Sequence, residues 1–386
     1  MFIGSTDQRW GKLSMFVKRV AAEARKIVKR DGVMVVALLL ALVTSCFHVP
    51  RLEYIDFNVL AILLSLMLVI TGFKQNKLLD CLALGVLRCT NSVRSLYIFI
   101  IGLTFLASML ITNDVALLTF VPLTLVIGRK LKLDMAQLVI WQTLAANLGS
   151  AFTPMGNPQN LFIYAHYAFS AGEFFRTMLP LTVFSLLILL VLALTVSSKE
   201  IQLELEQLPW RITRESAIFT LLLGLNILAV FRCVSYLVAL GITIVAVFCV
   251  SRRLFRYVDY TLLLTFVGFF IFIGNISSFS CVSLLKEAML SAPWGVYVSG
   301  ILVSQLVSNV PATMLLAGFT DSGRELLLGV NVGGLGTLIA SMASVISYKL
   351  YAENNLGQNG TYLRQFLFYN FLLLAILAPL VWVTRG

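Results

Sequence analysis

The sequence predicts an all-α polytopic membrane protein made of two inverted repeats, each with a re-entrant hairpin and a broken transmembrane helix. Three observations predict it. The 386-residue chain is 59% hydrophobic and only 12% charged, against about 45–50% and roughly 25% in soluble domains. A polar-tipped apolar segment occurs twice, as SMLITNDVALLTFVP at 108–122 and SQLVSNVPATMLL at 304–316. Each copy is followed by a polar break containing glycine, NLGSAFTPMGNPQN at 147–160 and NVGGLGTLIAS at 331–341. Two polar tips and two interrupted helices in the same order are the pattern of an internally duplicated transporter.

The elements follow in chain order. Residues 1–32 carry eight basic side chains, Arg9, Lys12, Lys18, Arg19, Arg25, Lys26, Lys29 and Arg30, and read as a basic amphipathic segment on an anionic leaflet. They are too charged for the apolar core of a secretory signal. Residues 33–196 form the first repeat. Its first two spans are placed at about 33–49 and 57–73, near the lower length limit for crossing a bilayer. Residues 74–94 are less hydrophobic and read as an interfacial helix. The first hairpin has arms at 95–111 and 115–128. Asp134 and Gln137 have the spacing of a capping box that opens the helix leading to the first break. That helix resumes over 161–169, and a further span covers 178–196.

A charged cytoplasmic linker, 197–216, separates the halves. Residues 217–386 are the second repeat with one extra helix, about 217–231. Spans at 234–250 and 260–275 answer the first two, and 281–290 answers the interfacial segment. The second hairpin has arms at 294–307 and 310–319. Ser322 and Glu325 repeat the capping-box spacing. The helix they open breaks at Gly333 and resumes to about residue 350, and the last span is 366–383. The second arm, 310–319, covers about 15 Å as a helix, half of the ~30 Å hydrocarbon core. Its tip is therefore expected near the bilayer midplane.

Charge sets the orientation. With the N-terminus inside, the outer segments hold only Arg51, Arg176, Arg232, Lys286, Arg324 and Arg385, and the other basic residues are inside. The same count places the bases of the two hairpins on opposite sides of the membrane. Positive-inside bias accounts for the net charge of +11 without a nucleic-acid partner. The six cysteines lack CxxC spacing and read as small apolar fillers, and with two histidines a histidine-built metal site is not expected. The sequence lacks HExxH, GxSxG and paired catalytic aspartates, so no enzyme is expected.

The residues suited to chemistry sit at the tips and breaks. Thr112, Asn113, Ser308 and Asn309 offer hydroxyl and amide oxygens at a turn that lipid tolerates only when it is buried in protein or faces a wet cavity. Asp114 is the only carboxylate between Arg94 and Arg129, and an intramembrane carboxylate is read as functional. Na⁺ is expected at Thr112, Asn113, Asp114, Ser308 and Asn309. The breaks add Gly149, Ser150, Thr153, Gly156, Asn157, Asn331, Gly333, Gly334 and Thr337. Helix N-termini after each tip and break favour an anion without a buried arginine. The asparagines could instead be interhelical glue, and the glycines at 333, 334 and 336 a close-packing face.

The stretches ITNDVALLTFVPLT, GSAFTPMGNPQN, SNVPATMLL and NVGGLGT resemble the ion-transporter superfamily that includes citrate and dicarboxylate symporters, arsenite permeases and some Na⁺/H⁺ antiporters, over nearly all of 33–383. In the dicarboxylate symporters each tip bears a Ser-Asn-Thr motif that binds Na⁺ and contacts substrate carboxylate. The resemblance implies that Thr112-Asn113-Asp114 and Ser308-Asn309-Val310 occupy those tips, and it also implies an elevator-like motion. Asp114 and Val310 depart from the final threonines, and an acidic tip is closer to the arsenite-permease and antiporter branch. The expectation is a secondary transporter of a small anion, a carboxylate or inorganic oxyanion, coupled to Na⁺ or H⁺ and needing no other cofactor. A Na⁺/H⁺ antiporter or an arsenite/antimonite efflux permease is the alternative, and a channel is disfavoured by two broken-helix repeats. The bacterial inner membrane is the expected site and a homodimer the candidate assembly.

In a cysteine-free background, Leu131→Cys and Leu254→Cys are predicted to be cytoplasmic, and Glu53→Cys and Ser322→Cys external. An impermeant maleimide applied to intact cells should label only the external pair. Labelling at 131 without labelling at 322 would overturn the inverted arrangement.

Overall fold

A computed structural model describes residues 32–87, 90–201, 213–276, 292, 294–354 and 359–385. The basic segment 1–31, most of the linker 197–216 and the segment 281–290 lie outside the described residues. The regular structure of the described residues is helical, apart from one isolated bridge between Ser92 and Glu200. Among the described residues four helices, Phe57–Gln75, Val93–Ile111, Ala171–Leu194 and Asn359–Thr384, are long and apolar enough to cross a membrane.

The chain divides into two compact units, 1–55 with 259–278, and 56–258 with 279–386. The described part of the smaller unit pairs α1 (Gly32–Ser45) with α11 (Tyr260–Ile276). Gly268 allows their close approach, since a Cβ there would lie 2.9 Å from the backbone of Ala37. Asn275 Nδ2 donates to Thr44 Oγ1 at 3.2 Å and Ser45 Oγ at 3.1 Å.

The larger unit holds both hairpins and both breaks. It begins with α2 (Phe57–Gln75) and the short α3 (Leu78–Leu87). The first hairpin is α4 (Val93–Ile111) and α5 (Asn113–Leu131). The first broken helix is α6 (Ala136–Ser150) and α7 (Pro158–His166), followed by α8 (Ala171–Leu194). Next come α9 (Arg214–Val230) and α10 (Tyr236–Val250), both packed on α2. The second hairpin is α12 (Gly295–Val307) and α13 (Asn309–Ala317). The second broken helix is α14 (Gly323–Val332) and α15 (Met342–Asn354), and the chain ends with α16 (Asn359–Thr384).

The packing is crossed. The outgoing arm of the first hairpin, α5, lies on α15, and the outgoing arm of the second, α13, lies on α7. The closing helices also reach across, α16 onto α6 and α8 onto α14, while each packs on the broken helix of its own half as well. Each hairpin's first arm packs on its own broken helix, α4 on α6 and α12 on α14. The hairpins differ in size. Both arms of the first hairpin have 19 residues, about 28 Å of helix, while the second hairpin has arms of 13 and 9 residues.

Neither expected capping box forms. Asp134 Oδ1 accepts from the Ala136 amide at 2.9 Å, but Gln137 reaches outward and donates to Tyr369 Oη at 2.9 Å. Ser322 makes no side-chain cap, and Glu325 is drawn to Arg385, 3.7 Å away. In both cases a tertiary partner takes the acidic or amide side chain away from the helix start. A reciprocal box does form at Ser92 and Ser95, opening α4.

Gly149 is where α6 touches α4. A Cβ there would sit 2.3 Å from the Phe105 carbonyl oxygen and 2.7 Å from Ser108 Oγ. Gly224 of α9 has open space around it. Gly149→Ala should cost about 1–3 kcal/mol through overpacking, whereas Gly224→Ala should be neutral or slightly stabilising. Thermal unfolding of the purified variants measures the contrast, and equal midpoints would contradict it.

Candidate functional site

Each hairpin turns at a single residue of unusual backbone geometry. Thr112 has φ 71° and ψ 149°, and Ser308 has φ 75° and ψ 154°. Non-glycine residues seldom occupy this region, and a β-branched residue there is strained, at about 1–3 kcal/mol. Two strained residues with the same dihedral angles at the two tips mark a shared local design. Immediately after each of them an asparagine, Asn113 or Asn309, starts the outgoing helix and is buried.

The first tip is held by the first break. The Asn113 amide donates to the Gly156 carbonyl at 3.1 Å, and Asn113 Nδ2 donates to Asn147 Oδ1 at 3.3 Å. Asn113 Oδ1 accepts from the Asp114 amide at 3.0 Å. The half-buried Asp114 therefore lies in the first turn of α5, where the helix dipole favours negative charge. Thr153 Oγ1 hydrogen-bonds the Met109 carbonyl, tying the break to the incoming arm.

The second half repeats this contact. Thr337 Oγ1 donates to the Gln305 carbonyl at 3.1 Å, and Gln305 stands three residues before its tip, as Met109 does before the first. Gln305 does more than Met109 can. Its Oε1 accepts from the Thr337 amide at 2.8 Å, and its Nε2 donates to the carbonyls of Gly333 and Leu335, each at 2.8 Å. Gly336 turns the chain there with φ 104°, a conformation open to glycine. Gly333 lies against Ile301 and Gly300 as Gly149 lies against Phe105 and Ser108. Gly334 leaves room for the Asn309 amide, whose Nδ2 would be 3.0 Å from an added Cβ. The close-packing role thus falls to Gly149 and Gly333, and Gly334 and Gly336 shape the break.

The remaining first-break residues fold that turn upon itself. Asn157 caps α7 through the Asn160 amide at 2.9 Å, and its Nδ2 reaches Ser150 Oγ at 3.3 Å. Gly156 passes so near the Ser150 carbonyl that a Cβ would meet it at 2.2 Å. Asn160 Nδ2 lies within 2.9 Å of the Ala151 carbonyl and 3.2 Å of that of Thr153. Several carbonyls freed by the breaks are thus already hydrogen-bonded by amide side chains, each keeping a second lone pair. Ser308 Oγ is buried and makes no hydrogen bond within the described residues.

Sequence reasoning missed Asn147, Asn160, Gln305, Ser341 and Ser344, all engaged in this network. The available signal was the matched Asn-x-Gly of Asn147-Leu148-Gly149 and Asn331-Val332-Gly333, which places an asparagine at the end of each α6-type helix. Two surface cavities, of about 270 Å³ beside Tyr167 and Arg324 and about 470 Å³ beside Asp134 and Arg364, lie away from the tips.

Paired polar turns seated on broken helices in a multi-pass helical chain define a membrane transporter. The chain belongs to the CitMHS citrate transporter family, which it matches over residues 20–322. It is 32% identical to an uncharacterized transporter of Methanocaldococcus jannaschii over 84% of this chain and 88% of that protein. It is also 32% identical to the inner membrane protein YbiR of Escherichia coli, over 77% of this chain and 80% of the relative. A 46 kDa membrane protein of Mycobacterium leprae is 25% identical over 77% and 79%.

Asn113→Ala and Asn309→Ala should each lower transport about ten-fold or more, since each deletes a buried amide at a tip, while folded yield stays near normal. Reconstituted flux and size-exclusion profiles check both halves of this statement. Near-normal uptake by either variant would remove that amide from the site.

Proposed function

We propose that the protein is a secondary active transporter of a small anion, a carboxylate or an inorganic oxyanion, coupled to Na⁺ or H⁺. The observation that carries this reading is the pair of strained tips, Thr112 and Ser308, each seated beside its own break with matching threonine–carbonyl and glycine contacts. We read the halves as inverted repeats that alternate access around a midplane site, and the crossed packing of α5 on α15 and α13 on α7 supports a two-fold relation between them. The family's name favours a citrate-like carboxylate.

The ligands divide by charge. Hydroxyl and amide oxygens of Thr112, Asn113, Ser308 and Asn309, with spare lone pairs on break carbonyls, suit Na⁺. Amides at the N-termini of α13 and α15 suit the anion, whereas the Asn113, Asp114 and Asn160 amides that open α5 and α7 already donate within the first tip and break. The name of the Escherichia coli relative and the distribution of basic residues favour a bacterial inner membrane with a cytoplasmic N-terminus. A homodimer is the assembly we carry forward.

Asp114 favours the second reading, a Na⁺/H⁺ antiporter or an arsenite/antimonite efflux permease. An aspartate at mid-membrane costs about 2.5–3.5 kcal/mol on insertion scales. A carboxylate can hold either a proton or a cation, so this one side chain is suited to exchanging H⁺ for Na⁺. The second tip has Val310 at the corresponding place, so coupling falls on the first tip.

Proteoliposome flux of citrate, with phosphate and arsenite as comparisons, across imposed Na⁺ and pH gradients tests the reading. Saturable uptake of an anion driven by one of the gradients is expected. Asp114→Asn should abolish that ion dependence and uphill accumulation while keeping substrate counterflow. An Asp114→Asn protein that accumulates substrate with unaltered ion dependence would assign coupling elsewhere. Arsenite or Na⁺/H⁺ flux without anion uptake would favour the second reading.

A further inference from the structure

Asn147 and Asn331 lie in the last turns of α6 and α14, and each reaches across to the other half. Asn147 Oδ1 accepts from Ser341 Oγ at 2.9 Å, and its Nδ2 donates to Ser344 Oγ at 3.4 Å. Asn331 Oδ1 accepts from Asn157 Nδ2 at 3.3 Å, and its Nδ2 donates to Asn160 Oδ1 at 2.7 Å. The receiving positions correspond. Asn157 and Ser341 immediately precede α7 and α15, and Asn160 and Ser344 are the third residues of those helices. All six side chains are buried, none above 6% exposed. Asn147 Oδ1 also accepts from the tip amide of Asn113.

We propose that Asn147 and Asn331 are crossed positioning residues, each fixing the first turn of the other half's resumed helix, and that Asn147 thereby links the first tip to the second break. The proposal deepens, and rests on, the reading of tips and breaks as the transport site. It moves Asn331 from direct ligand to positioning residue. The physical reason is that a helix resuming inside an apolar layer has unpaired amides and no water to orient its first turn. A buried amide with both a donor and an acceptor sets two side chains at once and tolerates few alternatives. Because each resumed helix is held from the other half as well as from its own, the two breaks are mechanically linked, and a change at Asn113 reaches Ser341 through one side chain.

Hydrogen–deuterium exchange of the purified full chain in nanodiscs tests this without any substrate. Asn147→Ala should speed exchange about ten-fold in residues 342–346 of the opposite half and leave 158–162 near wild type; Asn331→Ala should do the reverse. Ser341→Ala should reproduce the Asn147→Ala pattern, and Ser341→Thr, which keeps the hydroxyl, should restore protection. Asn113→Ala should loosen 342–346 in the wild-type background and add nothing to Asn147→Ala. Loosening confined to the half that carries the substitution, or equal protection in Ser341→Ala and Ser341→Thr, would overturn the proposal. Should Asn147→Ala fail to fold, Ser341→Ala and Ser344→Ala report the same crossing from the receiving side. Exchange and citrate flux are separate measurements, so failure of the transport reading and failure of the clamp are distinguishable.

Discussion

Everything around the candidate site depends on one constraint: a backbone turn placed among apolar side chains must find its hydrogen-bond partners in protein. The first tip meets it with the Gly156 carbonyl and the Asn147 side chain. The incoming arms are tied to the breaks by Thr153 and Thr337. Such short-range docking requires the incoming arm to lie almost in contact with the broken helix. Gly149 and Gly333 allow it, since any side chain there would strike the arm's backbone. The strained dihedral angles of Thr112 and Ser308 are tolerable for the same reason, because the surroundings hold the tips from several sides.

The two hairpins reach this arrangement with unequal lengths. The first has two arms of 19 residues and the second arms of 13 and 9. The tip dihedral angles nevertheless agree within a few degrees. Tip geometry is thus the same in spite of the difference in arm length. Gln305 illustrates the local price of the shorter hairpin: one side chain binds three backbone groups of the second break, whereas Met109 in the same place offers only its carbonyl.

Crossed packing makes the site a joint product of both halves. The outgoing arms and closing helices of each half rest on the broken helix of the other. The asparagine exchanges lie inside that frame. A buried network of amides and hydroxyls is stable only when nearly every member is paired, which explains why polar residues are so concentrated here in a chain otherwise rich in apolar ones. Asp114 is the chief difference between the tips, a carboxylate at the first with valine in its place at the second.

The sequence by itself determined the helices, the two tips and the two breaks. Hydropathy over a bilayer-length window, and the punctuation of Thr112-Asn113, Ser308-Asn309 and the glycine-bearing interruptions, are local signals that no tertiary contact has to supply. Element ends moved by a few residues, as when the arm expected at 95–111 began at Val93 behind the Ser92–Ser95 box. The partners were decided only by the tertiary structure. Gln137 and Glu325 have the spacing of capping residues, yet Tyr369 and Arg385, far along the chain, attract them more strongly than their own helix starts do. Asn147 and Ser341, and Asn331 and Asn160, are separated by much of the chain and meet because helices of one half pack on those of the other. A side chain's hydrogen-bonding capacity is written in its type, but its partner is whatever the packed core brings within 3 Å or so, and that is a property of the whole fold.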